Sequence, residues 1–169
     1  MRIGLFYGSS TGNTENAAEL IAARLGGFAQ VDLYNIASAD LGKMAEYDLI
    51  IAGCSTWGEG DLQDDWESGM GELKKLDLSG KKIALFGLGD QEGYEENFLD
   101  AMGILHNRFI AQGATPIGYT STDGYYFEAS KAAINAGTFC GLGLDEDNQE
   151  HLSDERITAW VETLKSSLA

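Results

Sequence analysis

Five apolar runs alternate along the chain with stretches of helical periodicity, and this alternation is the strongest constraint on the fold. The runs cover residues 3–7, 30–35, 48–54, 82–88 and 115–119. The third and fourth are almost continuously apolar, as expected of strands that are covered on both faces. The stretches between them place apolar residues three or four positions apart, which is typical of helices packed along one side. The alternation therefore predicts an α/β fold with a parallel sheet and helices on both faces.

The crossovers between the strands narrow the topology further. Right-handed crossovers leave few arrangements, and the doubly wound five-stranded order 2-1-3-4-5 is common at this chain length. We predict one domain over residues 1–169, with helices near 15–25, 64–76, 97–112 and 154–168 and a shorter helix capped by Asp40. A segment rich in turn residues and aromatics, 120–137, separates the fifth run from a further strand piece at 138–144.

The first strand leads into a short loop, Gly8-Ser9-Ser10-Thr11-Gly12-Asn13-Thr14. A loop between a strand and the start of a helix directs free backbone N–H groups and the positive end of the helix dipole at one spot. Helix capping explains one or two of its four hydroxyl side chains, whereas a bound phosphate would use them all. The loop has neither the Gly-Lys-Ser/Thr ending of a Walker loop nor the G-x-G-x-x-G dinucleotide pattern.

Two other loops carry aromatic residues among glycines. In the order 2-1-3-4-5 the loops 8–14, 54–63 and 88–97 converge at the carboxyl edge of the sheet, where such folds bind ligands. Trp57 lies in the second loop and Tyr94 in the third. A loop aromatic is usually partly packed on the core, but two beside a phosphate site can cover a flat ligand. The three loops together predict a site for a planar ring joined to a phosphate.

These loops resemble those of the flavodoxins, small carriers that bind flavin mononucleotide (FMN) non-covalently, and the resemblance covers essentially the whole chain. Residues 9–14 resemble the family's phosphate motif, and residues 56–60 and 89–94 resemble its two ring-binding loops. Residues 120–137 resemble the insertion that splits the last strand in long-chain members. The chain is thus similar to a long-chain flavodoxin.

The resemblance implies FMN as the cofactor and assigns residues to it by position. Residues 9–14 are expected to hold the phosphate, Trp57 and Tyr94 to cover the two ring faces, and backbone groups of Gly89 and Asp90 to meet the pyrimidine edge. The Gly58–Glu59 peptide is expected to turn its carbonyl towards flavin N5 on reduction, although some long-chain members have Asn-Ile or Leu-Gly there. The complete predicted cofactor-binding set, with no metal ligand and no catalytic residue, is Ser9, Ser10, Thr11, Gly12, Asn13, Thr14, Ser55, Thr56, Trp57, Gly58, Glu59, Gly60, Leu88, Gly89, Asp90, Tyr94, Asn97 and Asp147.

The function that this resemblance implies is low-potential electron transfer rather than enzyme catalysis. The carrier would shuttle between the flavin semiquinone and hydroquinone, because nearby carboxylates oppose the negative charge that the second electron places on the ring. The alternative is an FMN-dependent quinone reductase or nitroreductase on the same fold, which would need a substrate cavity over the ring. A flavin-storage or interaction module is a third interpretation.

The formal net charge of −16 bears on the partners. Such acidity argues against nucleic acid and against anionic membranes, which bind basic surfaces. Residues 59–67 and 90–100 each contain five acidic side chains and no basic one. Solubility alone could account for the acidity, but its clustering favours docking of basic redox proteins, and family analogy suggests ferredoxin–NADP reductase, photosystem I or nitrogenase reductase. No apolar run approaches the length of a membrane span and no secretory pattern is visible, so we expect a cytoplasmic protein. We also expect it to be a monomer.

The remaining reactive or bulky side chains have simpler interpretations. Cys54 and Cys140 lie in apolar runs without metal spacing, which favours free buried thiols. We expect His106 and His151 to have surface or packing roles. Trp66 and Trp160 fall in predicted helices and are expected to pack in the core.

Overall fold

The computed structural model describes residues 1–169 and contains ten strands and four α-helices. The strands, in chain order, are β1 (Arg2–Tyr7), β2 (Gln30–Asn35), β3 (Leu49–Trp57), β4 (Asp61–Leu62), β5 (Lys82–Leu88), β6 (Thr115–Ile117), β7 (Thr120–Ser121), β8 (Ala133–Asn135), β9 (Thr138–Phe139) and β10 (Leu142–Leu144). The helices are α1 (Asn13–Leu25), α2 (Asp64–Leu73), α3 (Asp100–Ala111) and α4 (Ser153–Leu168), with short 3₁₀ helices at Leu41–Glu46 and Glu150–Leu152.

The main sheet is parallel and has the order β10-β5-β3-β1-β2. Strands β6 and β10 both pair with β5, β6 at residues 82–84 and β10 at residues 86–88. They therefore share the fifth position of the sheet, and the insertion lies between them in sequence. The predicted order 2-1-3-4-5 with a split last strand is confirmed.

The core forms two layers because successive strand residues point to opposite faces of the sheet. One layer packs Ile3 and Leu5 of β1 against helices α1 and α4, including Trp160. The other packs Phe6 of β1 against α2, α3 and the insertion, including Trp66. Both tryptophans are buried, which confirms their predicted packing role. No helix in this arrangement has both the length and the apolar character needed to span a bilayer.

The strand piece predicted at 138–144 is in fact two strands in two sheets. Strand β9 pairs antiparallel with β7 and β8 of the insertion in a small sheet, and only β10 joins the main sheet. Between them lies Gly141, where a Cβ atom would be 2.1 Å from the carbonyl oxygen of Leu85. The chain can approach β5 this closely only at a residue without a side chain, so the two strands separate at this glycine.

Several helix ends also differ from the sequence prediction. Helix α2 ends at Leu73 rather than at 76, and the chain continues in a 3₁₀ turn in which Leu76 N donates to Leu73 O. Helix α3 begins at Asp100 rather than at 97, because Leu99 has the left-handed φ of 60°. The helix that Asp40 caps is a 3₁₀ helix, and Asp40 Oδ1 accepts from Gly42 N at 2.8 Å.

Both cysteines are free and buried, as predicted. Burial raises the pKa of both thiols, that of Cys140 to about 12. Both cysteines are therefore protonated at neutral pH. His106 is buried and shares a hydrogen bond of 2.8 Å between Nε2 and the Tyr119 hydroxyl, whereas His151 is exposed. These residues have packing or surface positions and take no part in the site described next.

Candidate functional site

A cleft of about 360 Å³ lies at the carboxyl ends of β1, β3, β5 and β10. This is the edge at which doubly wound sheets bind their ligands, because the crossover direction reverses there. Every residue lining the cleft except Glu146 belongs to the set predicted from sequence. The predicted residues that line it are Thr11, Asn13, Thr14, Ser55, Thr56, Trp57, Gly58, Leu88, Gly89, Asp90, Tyr94 and Asp147.

The loop between β1 and α1 supplies hydrogen-bond donors at one end of the cleft. The backbone N–H groups of Ser9, Ser10, Thr11, Asn13 and Thr14 have no acceptor within the protein. The Thr14 side chain is only 2 % exposed, and its hydroxyl lacks a protein partner without being enclosed, so it faces the cleft. No Lys or Arg lines the cleft. Such a cradle of N–H and O–H donors at a helix N-terminus fits a phosphate group.

Two of the predicted hydroxyl groups shape this loop from behind. Ser9 Oγ accepts from Gly12 N at 3.1 Å, and Ser10 Oγ accepts from Gln63 Nε2 at 3.1 Å. Both side chains lie outside the lining of the cleft. Gly12, with a φ of 94°, makes the turn into α1 that a residue with a side chain rarely adopts.

The aromatic residues of the second and third loops form the sides of the cleft. Trp57 is 41 % exposed and Tyr94 is 46 % exposed, and both line the cleft. Trp57 Nε1 donates to Ser55 Oγ at 2.7 Å, and the antiparallel pairing of β3 with β4 fixes the backbone on either side of residues 58–60. Gly58 makes the turn with a φ of 51°. Exposed flat faces at the sides of a cleft fit a planar aromatic ring.

Three further predicted residues lie beside the cleft rather than in its lining. Glu59 is exposed, and Gly60 packs so closely on Asp100 that a Cβ would lie 2.7 Å from its Oδ2. Asn97 Nδ2 donates to Asp100 Oδ2 at 3.1 Å. The structure thus places Asn97 in the support of the second loop, and its predicted contact with the ring edge remains a prediction.

Carboxylates from the third loop and from the loop after β10 complete the cleft. Burial opposes ionisation of Asp90, but hydrogen bonds from Gly93, Asn148 and Glu92 outweigh it and lower the pKa of this carboxyl. Burial and the charges of Asp90 and Asp145 raise the pKa of Asp147. The cleft therefore combines negative charge with the absence of any lining cation.

Glu146 is the lining residue that the sequence interpretation missed. It follows β10 and accepts a hydrogen bond at Oε1 from Ser153 Oγ at 2.5 Å, which holds it near the start of α4. The topology could have indicated it, because the loop after the fifth strand lies at the same edge of the sheet as the three predicted loops.

The fold and the cleft define a doubly wound α/β protein that binds a phosphorylated planar ligand at its switch point. The flavodoxin family model matches residues 5–160. The chain belongs to the flavodoxin family.

Relatives with full-length matches agree with this assignment. A flavodoxin of Synechocystis sp. is 48% identical over 167 residues, which cover 99% of this chain and 98% of that protein. Flavodoxin 2 of Escherichia coli is 47% identical, over 100% of this chain and 98% of that protein. The crystal structure of Fusobacterium nucleatum flavodoxin bound to flavin mononucleotide superposes with a TM-score of 0.92 at 30% identity and covers 98% of each chain.

Proposed function

We propose that this chain is a single-domain electron carrier that binds FMN in the cleft and passes electrons one at a time to partner proteins. The observation that carries the proposal is the pairing, in one cleft, of an uncharged phosphate cradle with the exposed rings of Trp57 and Tyr94. Bound FMN supplies the one-electron chemistry. The Fusobacterium nucleatum relative, which is similar over nearly its whole length, was crystallised with this nucleotide.

The chain's own residues would bind, orient and shield the cofactor. Thr11, Thr14 and the free N–H groups of residues 9–14 would hold the phosphate. Trp57 and Tyr94 would cover the faces of the ring, while backbone groups of Gly89 and Asp90 would meet its pyrimidine edge. Gly58, already at a positive φ, would allow the peptide that follows it to turn towards the ring at little cost.

Electron transfer is favoured over substrate reduction because the rings on both sides of the cleft would leave only the edge of the flavin open. The exposed acidic side chains Glu59, Asp61, Asp64 and Glu67 follow the Trp57 loop, and Glu92, Glu95 and Glu96 flank Tyr94. None of them forms an ion pair within the chain. A basic partner would find these charges unpaired beside the open edge, which steers association.

We propose a monomer that acts in the cytoplasm and docks basic redox proteins, with ferredoxin–NADP reductase, photosystem I and nitrogenase reductase as the candidates suggested by family analogy. The test of docking is the salt dependence of electron transfer to a basic acceptor such as cytochrome c. Transfer that slows as ionic strength rises supports the acidic surface, and indifference to salt contradicts it.

The cofactor proposal is tested by titrating the apoprotein with FMN and, in parallel, with riboflavin, and following the quenching of flavin fluorescence. Because several charge-assisted hydrogen bonds reach only the phosphate, we expect FMN to bind at least about 100 times more tightly than riboflavin. Equal affinities would contradict the phosphate cradle. Oxidation of NADPH by a quinone with this protein alone would favour the reductase alternative.

Replacing Asp147 by asparagine is expected to raise the midpoint potential of the second one-electron step. One negative charge about 12 Å from the ring, at an effective dielectric of about 20, opposes the added electron by roughly 1.4 kcal/mol, or about 60 mV. Asp147 is exposed, so screening by water reduces the expected shift to roughly 20–40 mV. Spectroelectrochemical titration measures it. The control is Asp77→Asn, which removes the same charge from the exposed loop before β5 and is expected to shift the potential far less.

A further inference from the structure

Gln91 is buried in a loop whose following residues are exposed. It is 3 % exposed, whereas Glu92, Gly93 and Tyr94 are all exposed. A long amide side chain loses free energy on burial unless its polar atoms find hydrogen-bond partners. The partners of Gln91 come from two distant parts of the chain.

The first partner is Asp145, the residue that follows β10. Gln91 Nε2 donates to Asp145 Oδ2 at 2.8 Å, and Gln91 N donates to the same oxygen at 3.1 Å. Asn148 Nδ2 also donates to Asp145 Oδ2 and to Oδ1 of the cleft residue Asp90, both at 2.8 Å. Gln91 is therefore bonded into the network that fixes one wall of the cleft.

The second partner is the insertion, residues 120–137. Gln91 Oε1 accepts from Tyr126 N at 2.6 Å. Beyond this bond, Glu128 N and Ala129 N both donate to Glu95 O, at 2.7 and 3.0 Å. The insertion is thus attached to the Tyr94 loop directly, and Gln91 is the side chain that joins it to Asp145 as well.

Aromatic packing makes this attachment stiff. The ring of Phe98, which follows the Tyr94 loop, lies 5.6 Å from that of Phe127 and 5.9 Å from that of Tyr125, measured between centroids. Tyr125 in turn donates its hydroxyl proton to Gly143 O in β10 at 2.6 Å. A displacement of the insertion would therefore be transmitted to the loop rather than absorbed between them.

We propose that Gln91 is a positioning residue that couples the insertion to the FMN site by tying it to the Tyr94 loop and to Asp145. This inference rests on the proposed function, because the ligand whose affinity it affects is FMN. The coupling is reciprocal by linkage: a bound FMN restrains the insertion, and a loosened insertion weakens FMN binding.

The test compares Gln91→Leu with Gln149→Leu. Gln149 also reaches the insertion, through Nε2 to Gly124 O at 3.1 Å, but its side chain forms no bond to residues 89–98. Leucine fills a similar volume in both variants and removes only the amide. We expect Gln91→Leu to raise the FMN dissociation constant about tenfold and to shift the midpoint potentials, and Gln149→Leu to stay within about twofold of the parent protein.

A second readout uses the apoprotein and needs no flavin. Hydrogen exchange at the Tyr126 amide is expected to accelerate at least about tenfold in Gln91→Leu and to change little in Gln149→Leu, because only the first variant removes its acceptor. Equal FMN affinities and equal exchange in the two variants would overturn the coupling.

A third measurement uses only the parent protein, so it can be made even if neither variant folds. In the parent protein, FMN is expected to slow exchange at the amides of Tyr126, Glu128 and Ala129 more than at the distant loop residue Gly80. If FMN binds and leaves these insertion amides unchanged, the coupling is wrong while the proposed function survives. If the parent protein does not bind FMN, the proposed function itself fails.

Discussion

Replacing Gly103 by alanine is expected to destabilise the protein by about 3 kcal/mol, although alanine is the better helix former by about 1 kcal/mol. Gly103 lies within α3, and a Cβ there would be 2.3 Å from the carbonyl oxygen of Lys131 and 2.8 Å from Ala132 N. These are backbone atoms, so no side-chain rotation relieves the overlap, and the insertion must move away from the helix. Urea denaturation of the apoprotein measures the free energy of unfolding.

The matched control is Gly71→Ala in α2. A Cβ at Gly71 would have no atom within 4 Å, so the substitution is expected to stabilise the protein by up to about 1 kcal/mol through helix propensity. The two variants make the same chemical change in two helices and differ in what the added methyl group meets. A Gly103→Ala protein as stable as its parent would show that the insertion is not held against α3.

The main sheet could be predicted because its strands leave a pattern that is local in sequence. Strands β3 and β5 are buried on both faces, so they appear as the apolar runs 48–54 and 82–88, and the crossover rule then orders them. The ends of elements could not be predicted in this way. Leu99 sets the start of α3 with a φ of 60°, a conformation that a leucine side chain disfavours and no local pattern indicates. Strand β9 likewise joins the small sheet with β7 and β8, whereas β10, only three residues further on, pairs with β5.

The cleft residues could be predicted where the residue types of a loop indicate a ligand. The residues that support the loops through long-range contacts could not be predicted. Hydroxyl groups after β1 and aromatic residues after β3 and β5 indicate a ligand by their type and position. The buried residues that hold these loops have no such pattern. Gln63 is 1 % exposed, donates to Ser10 Oγ, and lies where a Cβ on Gly8 would be 2.1 Å from its Oε1. Gln91 and Asp145, separated by 54 positions, are joined only once the sheet has formed.

Replacing Thr14 by valine is expected to weaken FMN binding by about 10- to 100-fold, which corresponds to the loss of one hydrogen bond to a charged phosphate, about 1.5–3 kcal/mol. Valine keeps the shape and branching of threonine, so the change removes the hydroxyl alone. Riboflavin has no phosphate, and its affinity is expected to stay within about twofold of that for the parent protein. Fluorescence titrations with both ligands separate loss of the phosphate contact from a general distortion of the cleft.

Thr14→Val, which is expected to weaken FMN binding, is not expected to weaken the stability of the apoprotein. Thr14 is only 2 % exposed, and its hydroxyl faces the cleft without a partner in the protein, so replacing it with a methyl group is expected to leave the free energy of unfolding unchanged or raise it slightly. The control is Thr158→Val on the exposed side of α4, where Oγ1 donates to Asp154 O at 2.9 Å and no ligand contact is proposed. If the Thr14 hydroxyl does not stabilise the apoprotein but does increase the affinity for FMN, its hydrogen-bond partner is the ligand. A Thr14→Val protein that is less stable but binds FMN normally would instead assign this hydroxyl to helix capping.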